Sequence, residues 1–140
     1  MTVVVDSGPL VTLTDRVDPR WAAVDRLLRT ESGPLLIPAP ITAEVDYLAG
    51  SRVGRVARSA FLEDLAAGRF LVECLEPEEY GTLARLDRMY ADLDPGLAAL
   101  SIVVLAHRFR TRRVVTFDER HFRAIKPLQG GSFVILPADG

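Results

Sequence analysis

Residues 1–10 read MTVVVDSGPL, and the passage from Val3 to Pro9 decides the fold class. Val3, Val4 and Val5 form a short β-branched run of the kind that makes a buried strand. The run ends in Asp6-Ser7-Gly8-Pro9, where residues that stop a strand also start a helix. Pro9 falls at or near the first helical position, where its missing N–H costs nothing.

The same alternation continues outward. Asp18-Pro19 predicts the opening of a second helix, with Trp21, Val24, Leu27 and Leu28 at helical spacing and Gly33-Pro34 at its end. Leu35 to Ile37 predicts a second strand. Pro38 and Pro40 introduce a third helix carrying Ile41, Val45 and Leu48 on one face, and Gly50 and Gly54 mark breaks before a fourth that ends at Gly68. Phe70 to Val72 predicts a third strand, and Pro77 to Tyr90 a fifth helix. Asp94-Pro95 resembles an N-cap followed by proline. From Gly96 to about Phe109 the chain is apolar nearly all round, so this helix is expected at the centre of the molecule. Strands at Val114 to Phe117 and Phe133 to Leu136 complete the pattern. Strands alternating with helices predict an α/β domain with a mainly parallel sheet. Its ligands are expected beyond the carboxyl ends of the strands.

Composition narrows the function classes. The chain has 140 residues, a formal charge of −2 and 49% hydrophobic residues, which excludes disorder and suits one domain over 1–140. One cysteine, Cys74, excludes a disulfide framework and a cysteine-based zinc site. The longest uncharged run, Pro95 to Ala106, is too short to span a bilayer, and the first residues lack a secretory signal's basic start, so a soluble cytoplasmic protein is expected. Sixteen arginines stand against one lysine, Lys126. A biased genome produces such an excess, so placement carries more than number. Arg108, Arg110, Arg112, Arg113, Arg120, Arg123 and Lys126 crowd one stretch, and Arg52, Arg55 and Arg58 recur at intervals of three, which on one helix gives a loosely aligned basic face. Such arginines suit phosphate. Equally, Arg108 to Arg113 reads as a solvated helix end complementing the helix dipole.

Three acids stand out. Asp6 and Asp118 end strands at the functional edge. Glu44 lies about 60° from Ile41 on its helical wheel, tilted toward the apolar stripe. Singly, Asp6 and Asp118 read as helix N-caps and Glu44 as a solvated residue or an arginine partner. Together, clustered carboxylates repel and call for a divalent cation, and oxygen ligands favour Mg²⁺ or Mn²⁺ over zinc. Two other enzyme classes fail. A haloacid-dehalogenase-type phosphatase needs D-x-D after its first strand, where this chain has Gly8. A receiver domain needs paired acids there and a phosphorylatable Asp after a middle strand, where this chain has a single Asp6 and Pro38.

Four blocks in order, VVVDSGPL, IPAPITAEVDYL, YADLDPGLAALSIVVLAHRFRTRRVVTFDERHF and IKPLQGGSFVILP, resemble the PIN-domain ribonucleases and, within them, the VapC toxins of bacterial toxin–antitoxin pairs. The resemblance covers nearly the whole chain. It implies a three-layer α/β/α domain and a metal-dependent endoribonuclease cutting tRNA or the sarcin–ricin loop of ribosomal RNA. It also implies Mg²⁺ (or Mn²⁺) as cofactor, a VapB-type antitoxin as partner, and a homodimer or toxin–antitoxin hetero-oligomer. Asp6, Glu44 and Asp118 match the family's acids, Ser7 its hydroxyl residue, and Asp92 an acid at the rim of the site. Arg112, Arg113, Arg120 and Arg123 are the expected RNA contacts. His121 is expected to pack or to touch backbone phosphate rather than to catalyse.

One position departs from the pattern. The family's central helix carries an acid in a string like G-L-x-D-A-S, and here Gly96-Leu97-Ala98-Ala99-Leu100-Ser101 places Ala99 there. Two explanations stand. Either the residue is natural and the homologue is weakened or non-catalytic, binding RNA or antitoxin without cutting, or it is an inactivating Asp→Ala change.

Overall fold

The computed structural model describes residues 1–140. Five strands, β1 (Val3–Val5), β2 (Leu35–Pro38), β3 (Leu71–Glu73), β4 (Arg113–Val115) and β5 (Val134–Leu136), form one all-parallel sheet in the order β3-β2-β1-β4-β5. The helices are α1 (Ser7–Leu13), α2 (Trp21–Thr30), α3 (Ala39–Arg52), α4 (Arg55–Ala66), α5 (Pro77–Met89), α6 (Gly96–Arg108) and α7 (Glu119–Ala124). From β1 the chain steps through β2 to β3, then returns across the sheet to β4 and β5. Right-handed crossovers therefore put α1–α4 on one face and α5–α7 on the other. The order reverses between β1 and β4, and this switch point is where such sheets place ligands.

The core follows from the apolar runs. Val3, Val4 and Val5 are fully buried, as are Leu36, Ile37, Val114 and Val115, and 29 residues form one apolar cluster. α6 is the central helix the sequence predicts: every residue from Ala99 to Ala106 is buried. Phe122 of α7 packs edge-on against Phe133, with centroids 5.6 Å apart, fixing α7 beside β5.

Several local expectations are corrected. α2 begins at Trp21, because the Asp18 carboxylate accepts the Arg20 backbone N–H at 2.8 Å and folds residues 18–21 into a turn. α3 runs through Gly50 to Arg52, since Gly50 lets Arg58 of α4 pack close. Arg52 and Arg55 consequently lie on different helices, so Arg52, Arg55 and Arg58 are not aligned along one helix as the spacing predicts. Asp94 does not cap α6. It takes a left-handed conformation (φ 50°), and Pro95 precedes the first helical residue. The stretch after Asp118 is the short helix α7, in keeping with the N-cap reading of that acid.

Candidate active site

β1 and β4 run in register, Val5 opposite Val115, and the Asp6 N–H continues the ladder to the Val115 carbonyl at 2.9 Å. Asp6 therefore emerges at the switch point. It caps α1, its Oδ1 accepting the Ser7 N–H at 2.7 Å, while Oδ2 accepts the Thr116 hydroxyl at 2.7 Å. Ser7 turns back and donates its hydroxyl to Glu44 Oε1 at 2.8 Å, tying α3 to the start of α1. Glu44 is exposed, so its tilt on the wheel points into an open cleft and not into the core. Asp118 caps α7, accepting the His121 N–H on Oδ1 at 3.1 Å, and its Oδ2 lies 2.5 Å from His121 Nδ1.

These groups line one cleft of about 400 Å³, together with Gly8, Pro95, Ala98, Ala99 and Phe117. Gly8 packs closely here: a Cβ would stand 3.1 Å from the Phe117 ring, which would have to give way by a few tenths of an ångström. Burial pushes the Asp6 carboxyl above the ordinary carboxylate range. The Thr116 hydroxyl and the Ser7 N–H pull it down, and the charges of Glu44 and Asp118 push it up again. Asp6 and Asp118 both cap helices, and capping a helix at a strand end holds each carboxylate at the sheet's functional edge, where both line this cleft.

The three carboxylates share the cleft but are not closed into a cage: no three acids, histidines or cysteines are gathered closely enough to hold a metal ion. The physical reason lies in two walls. Ala99 presents only a methyl group, and Asp118 is engaged by His121. The oxygen donors suit Mg²⁺, which binds through one or two carboxylates and keeps several waters, so the residues fit that ion and not a closed structural site.

Asp92 is exposed in the turn before α6 and does not line the cleft. Of the expected RNA contacts, Arg113 is held by Glu31 with two hydrogen bonds, and Arg123 by Asp139 and Glu119. Arg112 is bound to the carbonyls of Gly130 and Gln129. Arg120 is exposed and makes no ion pair. Thr116 escaped the sequence reading, and His121 was read as packing or touching phosphate, not as part of the cleft. Thr116 is 1% exposed, and its hydroxyl accepts the Asp118 N–H while donating to Asp6. Its signal was a hydroxyl ending an apolar strand two residues before an acid. His121 lines the cleft, with Nε2 buried and without a partner. Its signal was its place three residues after a capping acid.

No protein-family profile matches the chain. The chain is 36% identical over 135 residues to ribonuclease VapC26 of Mycobacterium tuberculosis strain H37Rv, covering 96% of this chain and all of that protein. The fold is similar to that of M. tuberculosis VapC20, a sarcin–ricin loop cleaving toxin (TM-score 0.76, 14% identity, 84% of this chain and 90% of that one). It is also similar to VapBC2 of Rickettsia felis bound to a DNA fragment from its promoter (TM-score 0.67, 14% identity, 96% and 97%). With a near-full-length relative at that identity, and with acids at the strand ends of a PIN-like α/β/α fold, the chain belongs to the VapC ribonucleases.

Proposed function

We propose that this chain is the toxin of a toxin–antitoxin pair, a Mg²⁺- or Mn²⁺-dependent endoribonuclease that cuts structured RNA in the cytoplasm. The observation that carries the reading is the convergence of Asp6, Glu44 and Asp118 on one cleft at the switch point of the sheet. When bound, a divalent ion supplies an activated water and stabilises charge on a phosphoryl oxygen. The chain's own residues do the positioning. Thr116 and the Ser7 N–H fix both oxygens of Asp6, and the Ser7 hydroxyl fixes Glu44. Ser7 is 8% exposed with its hydroxyl donating a hydrogen bond to Glu44, so it is a bridge between the acids and not a nucleophile. One or two of Asp6, Glu44 and Asp118 would hold the ion directly, with waters completing its shell.

Structured RNA, tRNA or the sarcin–ricin loop, is the substrate class we assign, in keeping with the description of VapC20. A VapB-type antitoxin is the assigned partner, in keeping with VapBC2. Tyr47, Val53, Val56 and Leu62 are exposed apolar side chains of the α3–α4 hairpin, available to such a partner or to a second copy in a homodimer. No helix is long and apolar enough to cross a membrane. Ala99 favours a second reading, in which the chain is a non-catalytic module that binds RNA or antitoxin without cutting. Incubation with tRNA and with a sarcin–ricin stem–loop, with Mn²⁺ or with chelator, separates the two. Discrete cuts that require metal and vanish in Asp6→Asn support the enzyme. Binding without cuts at any metal concentration supports the module.

A further inference from the structure

α6 begins at the acidic cleft and ends in a second one. Its last turn carries His107 and Arg108, which with Arg110, Arg112 and Gln129 line a cleft of about 550 Å³. Ala99 and Arg108 are nine residues apart, about 14 Å along the helix. Arg112 immediately precedes β4, so this cleft lies at the amino ends of the strands, whereas Asp6 and Asp118 follow their carboxyl ends. No acid lines it.

The cations here are not equivalent. Arg108 is shared with Glu79 and Glu73, at 3.3 and 3.7 Å, and with the Cys74 carbonyl. Arg110 makes no ion pair or side-chain hydrogen bond, and stands in a left-handed conformation (φ 55°) after the helix end. Arg112 is fixed without being neutralised. Its Nε donates to the Gly130 carbonyl at 2.7 Å and Nη2 to that of Gln129 at 3.2 Å, leaving Nη1 without a protein partner. The loop is shaped to this guanidinium, since a Cβ at Gly131 would stand 2.9 Å from Nε. A planar fork held by neutral carbonyls keeps its full charge and presents its free edge, which is the arrangement that grips phosphate.

We infer that this cleft is a second seat for the phosphate backbone of RNA, remote from the acidic site. The inference rests on the nuclease reading above and deepens it. A cleft of three carboxylates repels phosphate, and the chain as a whole is anionic. Affinity for a polyanion must therefore come from a basic surface elsewhere. Arg113 and Arg123 are taken by carboxylates and Arg120 lies outside this cleft, so Arg110 and Arg112 are its uncompensated pair. An RNA seated here is held at a distance from the acids, so a folded RNA that spans both is preferred to a short strand.

The test is binding in the presence of chelator, so that cutting plays no part. The probe is an RNA stem–loop of about 30 nucleotides, long enough to reach across both clefts. Arg110→Glu is expected to weaken binding about tenfold and to flatten the dependence of log K on log salt by roughly one unit or less per lost contact. Arg26→Glu, on an exposed arginine of α2 without an ion pair, carries the same charge change and is expected to leave binding intact. Arg112→Gln is expected to add to the Arg110→Glu effect, and Arg110→Glu alone remains decisive if it misfolds. Equal effects of Arg110→Glu and Arg26→Glu, or no effect of either, overturn the inference. So does displacement of the stem–loop by a glutamate-rich peptide at lower concentration than by unlabelled RNA, which points to an acidic protein segment as the occupant. Binding through Arg110 without cutting in metal overturns the nuclease proposal and leaves this one standing. Cutting that is indifferent to Arg110 does the reverse.

Discussion

The Thr116 hydroxyl donates to Asp6 Oδ2 at 2.7 Å, joining residues 110 positions apart across the switch point of the sheet. Thr116 Oγ1 in turn accepts the Asp118 N–H at 2.9 Å, so one buried hydroxyl fixes both acids that follow the neighbouring strands β1 and β4.

Replacing it tests that role. Thr116→Val keeps the shape and removes both hydrogen bonds, leaving a buried carboxylate oxygen and a backbone N–H unpaired. The expected cost is about 1–3 kcal/mol of stability. Metal-dependent cleavage is expected to fall at least about tenfold, corresponding to about 1.4 kcal/mol of barrier. Thr116→Ser keeps the hydroxyl and is expected to restore most of the activity. Urea unfolding and initial rates measure the two quantities. Full activity in Thr116→Val would show that Asp6 needs no such support.

How much of this was legible in the sequence depends on the range of the interaction. The strands and the central helix were readable because burial writes itself into local runs, as in Val3 to Val5 and Ala99 to Ala106. Asp6 and Asp118 were readable because each sits where an apolar strand stops. Pairings across the fold were not. Nothing near Arg113 shows that Glu31, 82 residues away, will take it, and nothing near Arg123 singles out Asp139. Glu44 was found for its tilt toward the core, yet it faces an open cleft. Only the juxtaposition of α1 and α3 shows Ser7 as its partner.

Ala99→Asp adds a fourth carboxylate to the cleft wall. Without metal it is expected to lower stability, because position 99 is 7% exposed and the new charge faces three of its own sign. With Mg²⁺ or Mn²⁺ the sign reverses: a ligand that binds only the folded state stabilises by RT ln(1 + [L]/Kd). Thermal melts across a metal titration should show a larger rise in Tm for the variant than for the parent. RNA cleavage is expected to increase by several orders of magnitude. If the well-folded variant gains neither metal response nor activity, position 99 is not a ligand position.

Arg113 and Arg120 are expected to separate structure from recognition. Arg113 forms a two-pronged pair with Glu31, whose carboxyl it holds below the ordinary range. With Glu31 only 10% exposed, Arg113→Ala is expected to cost about 1–2 kcal/mol of stability and to leave RNA affinity unchanged. Arg120, exposed in the first turn of α7 beside the acidic cleft, is expected to do the opposite. Its alanine variant folds normally and binds RNA more weakly, with a reduced salt dependence. Filter binding and chemical denaturation of both variants give the comparison. Loss of RNA affinity in Arg113→Ala without loss of stability would return that residue to the binding surface.

Acid titration isolates the tie between α7 and the segment after β5. Asp139 accepts two hydrogen bonds from Arg123 and one from the Ile135 N–H, and its carboxyl is lowered from 3.8 to about 2. A carboxyl whose folded value lies below its unfolded value contributes stability that is complete above the unfolded value and disappears as pH falls through the folded one. The contribution is therefore full above about pH 4 and lost on approach to pH 2. Asp18, also lowered to about 2, titrates in the same window, so the parent protein alone does not isolate Asp139. The difference in Tm between the parent and Asp139→Asn does. That gap is expected to be constant from neutral pH down to about 5, to shrink below 4 and to close near 2. A gap that persists at pH 2, or widens there, would mean that the carboxylate charge is not what joins this segment to Arg123.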